Sequence, residues 1–424
     1  MKKLRPLIFL PFAIFVISLL YFTGCSFIDD FINDTLTGNA GDTLWTYQLQ
    51  DAGFHISSSP LAIGPDGTIY FAAGGGGWNS TDWEPQRIFA LNKSDGSLKW
   101  KSEQLETWHI NSYIVIGDDG TIYVSSATKL YSINPNNGSF NWVWEVPQTL
   151  PNGTGSDVYT YGELGPIALA SDGSIITKTS GSGSYSRALY NISTSGNINW
   201  YYFIYSTPAG TPISVGNNGT IYIFDFTNSN NMYCIRAINP DNGELIWETT
   251  ANIMEYANNI VIANNGDIIA FVAQDSLARI DYSNHQITWK INVDSHKNKF
   301  IDNNGNLIVF NQYTGSSLYN TSNGNLVNNS LTLPHDLLID DNNQLYGVIS
   351  DWSPHLSVTD ISGNIQWESA MNINGGTIAL SSDKVVYFIS DNNIFALQAD
   401  GALAHSGWPK FSHDNRNTFN ATKW

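Results

Sequence analysis

An all-β protein, folded as a single eight-bladed β-propeller of four-stranded antiparallel blades, is predicted by three features of this 424-residue sequence. A strand–turn–strand phrase recurs eight times, a second phrase ending in Gly-x-x-x-Trp follows most copies, and the copies are spaced as four short strands require. The first phrase is an apolar run, an Asp/Asn-Gly pair and a β-rich run. It reads LAIGPDGTIYF (61–71), IVIGDDGTIYV (114–124), IALASDGSIIT (167–177), ISVGNNGTIYI (213–223), IVIANNGDIIA (260–270) and FIDNNGNLIVF (300–310). Two worn copies follow, LLIDDNNQLYG (337–347) and IALSSDKVVYF (378–388). The turn position holds Gly67, Gly120, Gly173, Gly219, Gly266 and Gly305, then Asn343 and Lys384. Such pairs between alternating apolar runs mark hairpins, because tight hairpin turns need positive φ. Successive turns lie 53, 53, 46, 47, 39, 38 and 41 residues apart.

The second phrase supplies the two outer strands, as in IFALNKSDGSLKW (88–100), LYSINPNNGSFNW (130–142) and IRAINPDNGELIW (235–247). Its tryptophans are Trp100, Trp142, Trp200, Trp247, Trp289 and Trp367, and Asn328 breaks the series. One further outer strand, ending in Trp45, precedes all the repeats, while the final unit (374–400) has three strands and lacks a fourth. Strand 43–49 is therefore expected to pair near 393–399 and close the ring, which removes exposed sheet edges. Residues 43–400 form the propeller, at about 45 residues per blade. Residues 401–424 form a tail, GWPKFSHDNRNT at its centre, expected to cap the ring.

The N-terminus reads as an address. Lys2, Lys3 and Arg5 precede an apolar run from Leu7 to Phe22, broken by Pro11. A spanning helix needs about 20 apolar residues, so this shorter run suits a signal peptide. It ends in Phe22-Thr23-Gly24-Cys25, which resembles the cleavage signal of bacterial lipoproteins, with Phe22 departing from the usual aliphatic residue. The resemblance implies a signal peptide over 1–24, lipidation of Cys25 and a tether over 25–42. Cleavage would remove three cations and no acids, taking the net charge from −18 to −21. Several acyl chains on one cysteine suffice for stable anchoring. Ser26 after the cysteine implies outer-membrane delivery if the envelope is Gram-negative.

A charge of −18 argues against nucleic acid as a partner, since such binding neutralises phosphates with cations. It argues equally against an anionic bilayer surface. With Cys25 lipidated, Cys234 stands alone, and no disulfide framework or multi-cysteine zinc site is available. The eight histidines include no pair at three- to five-residue spacing, which removes a local zinc pair. No calcium loop, nucleophile elbow, phosphate loop or dinucleotide fingerprint is present. Acidic turn residues such as Asp66, Asp118, Asp119, Asp172, Asp340 and Asp341 are expected to bond nearby backbone instead. The stretch TKTSGSGSYSR (177–187) reads as a flexible loop. No catalytic residue, metal or cofactor is predicted.

The repeats resemble the pyrroloquinoline-quinone (PQQ)-like propeller family, in which the Trp of Gly-x-x-x-Trp docks on the adjacent blade. By that resemblance Trp45, Trp100, Trp142, Trp200, Trp247, Trp289 and Trp367 are packing groups between blades. Quinoprotein dehydrogenases share the repeat but use adjacent cysteines beside the quinone, which this chain lacks, so the resemblance does not carry the cofactor. Binding capacity is expected where long aromatic loops gather over blades one to three, at Trp78, Trp83, Trp108, His109, Tyr159 and Tyr161. The expectation is a non-enzymatic, lipid-anchored envelope protein that binds a protein partner. A lipoprotein of this plan is similar to accessory lipoproteins of outer-membrane β-barrel assembly, and a glycan-binding surface protein and a PQQ-dependent dehydrogenase are the further alternatives.

Overall fold

The computed structural model describes residues 39–423 apart from 52, 58–59, 76–84, 107–109, 111, 154, 156, 181–185, 206–210, 228–231, 250–258, 274–275, 294–297, 311–315, 332–334, 350–353 and 372–376. The signal segment, Cys25 and most of the tether lie outside the described residues.

Hydrophobic alternation around each Asp/Asn-Gly turn produces eight four-stranded antiparallel blades. Blade 1 consists of Ala62–Ile63, Ile69–Gly75, Arg87–Leu91 and Leu98–Lys101, with Phe54–Ile56 added beside Ile69–Gly75. Blades 2 to 7 follow in order and end in the outer strands Phe140–Glu145, Ile198–Ile204, Leu245–Glu248, Ile287–Asn292, Leu326–Leu331 and Ile365–Glu368. Blade 8 combines Ile378–Leu380, Val385–Ser390 and Asn393–Gln398 with the N-terminal strand Thr43–Gln48. Trp45 lies opposite Ala396 and Gln48 opposite Asn393, so the ring closes as its sequence predicts.

The turn chemistry is local. Asp66 Oδ1 accepts from the Thr68 N–H at 3.0 Å, and Asp119 and Asp172 repeat the contact with Thr121 and Ser174 at 2.9 Å. The worn turns keep the same backbone at a cost, with φ of 61° at Asn343 and 59° at Lys384. One sequence expectation is corrected. Thr177 to Ser180 belong to the buried strand Ile175–Ser180, and Arg187 opens the strand Arg187–Ile192, so only the centre of the 177–187 stretch is left for a loop. The polar letters there misled because blade seams admit buried Thr and Lys.

A four-stranded blade has two apolar faces and buries them only against its neighbours. The seam is made by Trp and Gly together. Trp100 lies over Gly138 of the next blade, Trp142 over Gly196, Trp200 over Gly243 and Trp289 over Gly324. Trp45 lies over Gly96, and Trp367 over Gly41, which passes the contact back to blade 8. A Cβ at Gly138 or Gly243 would come within 2.5 Å of the indole, and both glycines have φ of +74°. The indole N–H then donates to the carbonyl of the same turn: Trp100 to Pro135 and Trp200 to Pro240 at 2.8 Å, Trp289 to Thr321 at 2.7 Å. On the other side the rings of blades 1, 2, 4, 7 and 8 each meet a tyrosine of their own blade, as Trp45 meets Tyr387 at 5.6 Å and Trp100 meets Tyr70 at 5.8 Å, while Ile176 and Ile269 hold that place in blades 3 and 5.

Two seams depart from this rule. His285 occupies the glycine position facing Trp247, at φ 62°, and its ring stacks on the indole at 4.9 Å. Between blades 6 and 7 the tryptophan is Asn328, and other groups bridge the gap. The Asn303 N–H donates to Asn343 Oδ1 and Asn303 Nδ2 donates to the Asp340 carbonyl, both at 2.9 Å.

The tail completes the structure at the axis. The innermost strands present unpaired edges around the ring, and unpaired buried backbone groups are costly. Four residues before each turn, the N–H groups of Ile63, Ile116, Leu169, Val215, Ile301 and Ile339 donate to the carbonyls of Asn415, Arg416, Thr418, Phe419, Trp408 and Pro409 at 2.9–3.0 Å. The Gly407 N–H reaches Asn264 Oδ1 in blade 5, and Asn415 Nδ2 reaches the Leu380 carbonyl in blade 8. All eight blades are thus tied to one segment, in which Trp408, His413 and Phe419 are fully buried. Its densest pairing, Trp408 with Ile301 and Leu403 with Asp340, spans the blade 6–7 seam that lacks a tryptophan.

Gly243→Ala should lower unfolding stability by about 1–3 kcal/mol through overpacking, with further loss from the positive φ, and Trp200→Ala should cost about 3–5 kcal/mol. Urea unfolding followed by circular dichroism measures both. Removal of residues 401–424 should speed amide exchange at Ile63, Ile116, Leu169, Val215, Ile301 and Ile339 by about tenfold or more, blades 6 and 7 responding first. Hydrogen-exchange mass spectrometry reads this directly.

Candidate interaction surface

Of the residues singled out for binding, Trp78, Trp83, Trp108 and His109 lie outside the described residues. Tyr159 and Tyr161 are placed clearly. The segment joining blades 2 and 3 folds into a small hairpin, Thr149–Pro151 against Asp157–Tyr159. Side chains alternate along an extended strand. Thr160 therefore turns inward, where its N–H donates to the Gln148 carbonyl at 2.9 Å and its hydroxyl to the Pro147 carbonyl. The tyrosines on either side turn outward, at 70% and 61% exposure. The hairpin is pinned by Tyr201, whose hydroxyl donates to the Pro151 carbonyl at 2.6 Å, and by the Ser186 N–H, which donates to the Tyr159 carbonyl at 3.0 Å.

Ser186 and Tyr201 also border an open groove of about 700 Å³ on the rim where blade 3 meets blade 4. Tyr202, Tyr205, Arg236 and Glu248 line the rest that matters here. Arg236 is the organising group. The residue is 6% exposed, and its guanidinium pairs with the fully buried Asp225 and donates through Nε to Glu248 Oε2 at 3.0 Å. The rings of Tyr202 and Tyr205 flank it at 5.8 and 5.6 Å. Burial is the largest influence and opposes the charge, yet Asp225, Tyr202, Cys234 and Glu248 together outweigh it and the Arg236 pKa is raised. Asp225 in turn accepts from the Tyr205 N–H at 3.0 Å, which holds that half-exposed tyrosine at the groove mouth. Cys234 lies beneath, 1% exposed, with its thiol pushed up to about 12 mainly by burial, so it stays protonated and inert. The structure thus joins Tyr159 and Tyr161 to a tyrosine-rich groove and leaves the tryptophan candidates apart from that description.

Sequence reading missed Arg236 and Asp225. The signal was present in the repeat register, where Arg236 stands at the position of Phe89 and Tyr131 in blades 1 and 2. The same comparison exposes two buried lysines. Lys178, in blade 3, donates to Thr211 Oγ1 at 2.6 Å across the seam, and burial lowers its pKa to about 7. Lys299 takes the place filled by Leu61, Ile114, Ile167, Ile213, Ile260, Leu337 and Ile378 in the other blades. Its ammonium is fully buried with no hydrogen-bond partner among the described residues, 4.7 Å from the Phe271 ring centroid. Burial alone lowers its pKa to about 7. Among the described residues, no three His, Cys, Asp or Glu side chains gather into a group that could hold a metal.

The geometry defines a closed propeller with an aromatic rim surface. Residues 34–291 match the family model described as outer membrane protein assembly factor BamB, and the chain belongs to that family. Among solved structures, BamB from Moraxella catarrhalis is similar at a TM-score of 0.54 and 15% identity, over 86% of this chain and 99% of that one. A europium-containing methanol dehydrogenase is similar at a TM-score of 0.56 and 10% identity, over 87% of this chain and 85% of that one. At these identities both likenesses speak for the fold alone. No curated protein matches the sequence.

Lys299→Leu should stabilise the protein at pH 7 by about 1–4 kcal/mol, as replacing buried charge with apolar packing does. The gain should shrink as pH rises from about 7 to 10. In that window the native ammonium has already lost its proton while the unfolded chain still binds one, so the wild type gains stability with pH. Thermal unfolding midpoints of the two proteins across this range provide the check.

Proposed function

We propose that this protein is a non-enzymatic, lipid-anchored envelope scaffold that serves outer-membrane protein assembly through protein contacts. The family match over residues 34–291 carries the reading. The lipobox-like Phe22-Thr23-Gly24-Cys25 supports anchoring through Cys25, and Ser26 supports delivery to the outer membrane. The rigidity of the ring supports a scaffolding role, since a surface held on packed blades loses little entropy when it binds. The contact surface we assign is the hairpin bearing Tyr159 and Tyr161 with the adjoining groove at Tyr205. Tyrosines supply amphipathic contact area at low conformational cost and dominate many protein interfaces. The quinoprotein alternative is disfavoured by the chemistry of the chain, which holds only Cys25 and Cys234 and so has no adjacent pair.

The test is affinity capture of the detergent-solubilised native lipoprotein, with bound proteins identified by mass spectrometry. Barrel-assembly subunits are expected in stoichiometric amounts. Tyr159→Ser with Tyr161→Ser should reduce their recovery about tenfold or more while leaving the unfolding midpoint unchanged. Capture without any such subunit overturns the assembly reading, and full recovery with the double variant moves the contact surface elsewhere on the ring.

A further inference from the structure

The tail that seals the axis also floors a cavity. Where the innermost strands begin, Tyr113 of blade 2, Phe300 of blade 6, Leu338 of blade 7 and Ile378 of blade 8 converge around a space of about 190 Å³. Lys410 and Ser412 of the tail form its base. The walls are largely apolar, with Asn298 and Thr377 among them, and Lys410 of the base is a cation. Lys410 is 3% exposed, and its Nζ donates to Asn417 Oδ1 at 2.9 Å. The same oxygen accepts from Ser412 Oγ at 2.6 Å, so that acceptor is shared. An ammonium has three donors, and among the described residues this bond is the one it makes.

Asp414 favours its charge at a distance, but among the described residues no carboxylate forms an ion pair with it. His413 is buried and neutral, its pKa lowered by burial to about 3. Asp414 is nearby, yet its carboxylate accepts from the Thr418 N–H at 2.9 Å and the Thr418 hydroxyl at 2.7 Å and makes no ion pair with Lys410. Burial lowers the Lys410 pKa to about 8, which leaves it charged at neutral pH. A buried cation bonded only to a neutral amide is an expensive arrangement that a ligand carboxylate would relieve. Apolar walls with a few convergent polar groups are the usual make-up of a small-molecule site.

We propose that this axial cavity binds a small apolar group that ends in a carboxylate, with the carboxylate on Lys410 and the apolar body between Tyr113, Phe300, Leu338 and Ile378. The volume falls below the roughly 300 Å³ at which drug-sized pockets begin, so the occupant is a single ring or short alkyl chain rather than a polycyclic cofactor or a sugar chain. A free monocarboxylic acid and the C-terminal residue of a polypeptide share this chemistry. The proposal stands independently of the assembly role.

The experiment uses the purified full-length chain and saturation-transfer NMR with four probes: phenylacetate, phenylacetamide, and a tripeptide ending in phenylalanine with either a free or an amidated C-terminus. Saturable binding of a carboxylate probe is expected, with the matching amide about tenfold or more weaker. Lys410→Met should abolish the binding with the circular dichroism spectrum preserved. If that variant fails to fold, Thr377→Phe, which fills part of the cavity from its lining and keeps the ammonium, should abolish it instead. A peptide that binds more tightly than phenylacetate assigns the site to polypeptide termini, and binding of phenylacetate alone assigns it to a free acid. The proposal is overturned by absence of saturable binding for every carboxylate probe, by equal binding of the amides, or by binding that survives in the folded variant.

Discussion

The contact of an indole with a glycine turn on the neighbouring blade is the constraint on which this molecule rests. A single four-stranded blade is too thin to bury either of its faces. The seam must therefore be filled from one side by a large flat group and left open on the other by a residue without Cβ. Gly138 and Gly243 meet both requirements, since their turns also need positive φ. The indole N–H then satisfies a turn carbonyl that the seam would otherwise strand. At Trp247 the rule bends, and His285 accepts the strained backbone and substitutes ring stacking for close approach.

Closure transmits this constraint around the ring. Trp367 packs on Gly41, so the first strand of the propeller is held by the last blades, and every seam depends on the ring being shut. The one seam without a tryptophan, between blades 6 and 7, is bridged by Asn303 and by the tail. The tail therefore serves two purposes at once, pairing the inner edges and replacing a missing between-blade contact. It also brings Lys410 into the axis, among other buried polar groups of the tail such as Ser412, Asp414 and Asn417.

Function follows from where rigidity ends. The axis and seams are dense, whereas the rim of blades 3 and 4 carries the hairpin of Tyr159 and Tyr161 and the groove organised by Arg236. Such an arrangement presents an aromatic surface on a stiff support, which suits the assembly-factor family to which the chain belongs. The likeness to a methanol dehydrogenase of the same architecture is a reminder that the fold itself is neutral with respect to chemistry.

Blade number, strand order, ring closure and the seam tryptophans were all legible in the sequence, because period-2 alternation, Asp/Asn-Gly turns and Gly-x-x-x-Trp are local signals that recur in most of the eight units. The exposed tyrosines of the blade 2–3 connection were legible as well, as aromatic residues in an unusually long insertion. The Arg236–Asp225 pair, the buried Lys178 and Lys299, and the axial path of the tail were not. Each depends on which residues meet across a seam or along the axis, and that pairing joins positions up to hundreds of residues apart, such as Ile63 and Asn415. Local chemistry alone determined what each blade is, and the closure of the ring decided which side chains are forced together inside it.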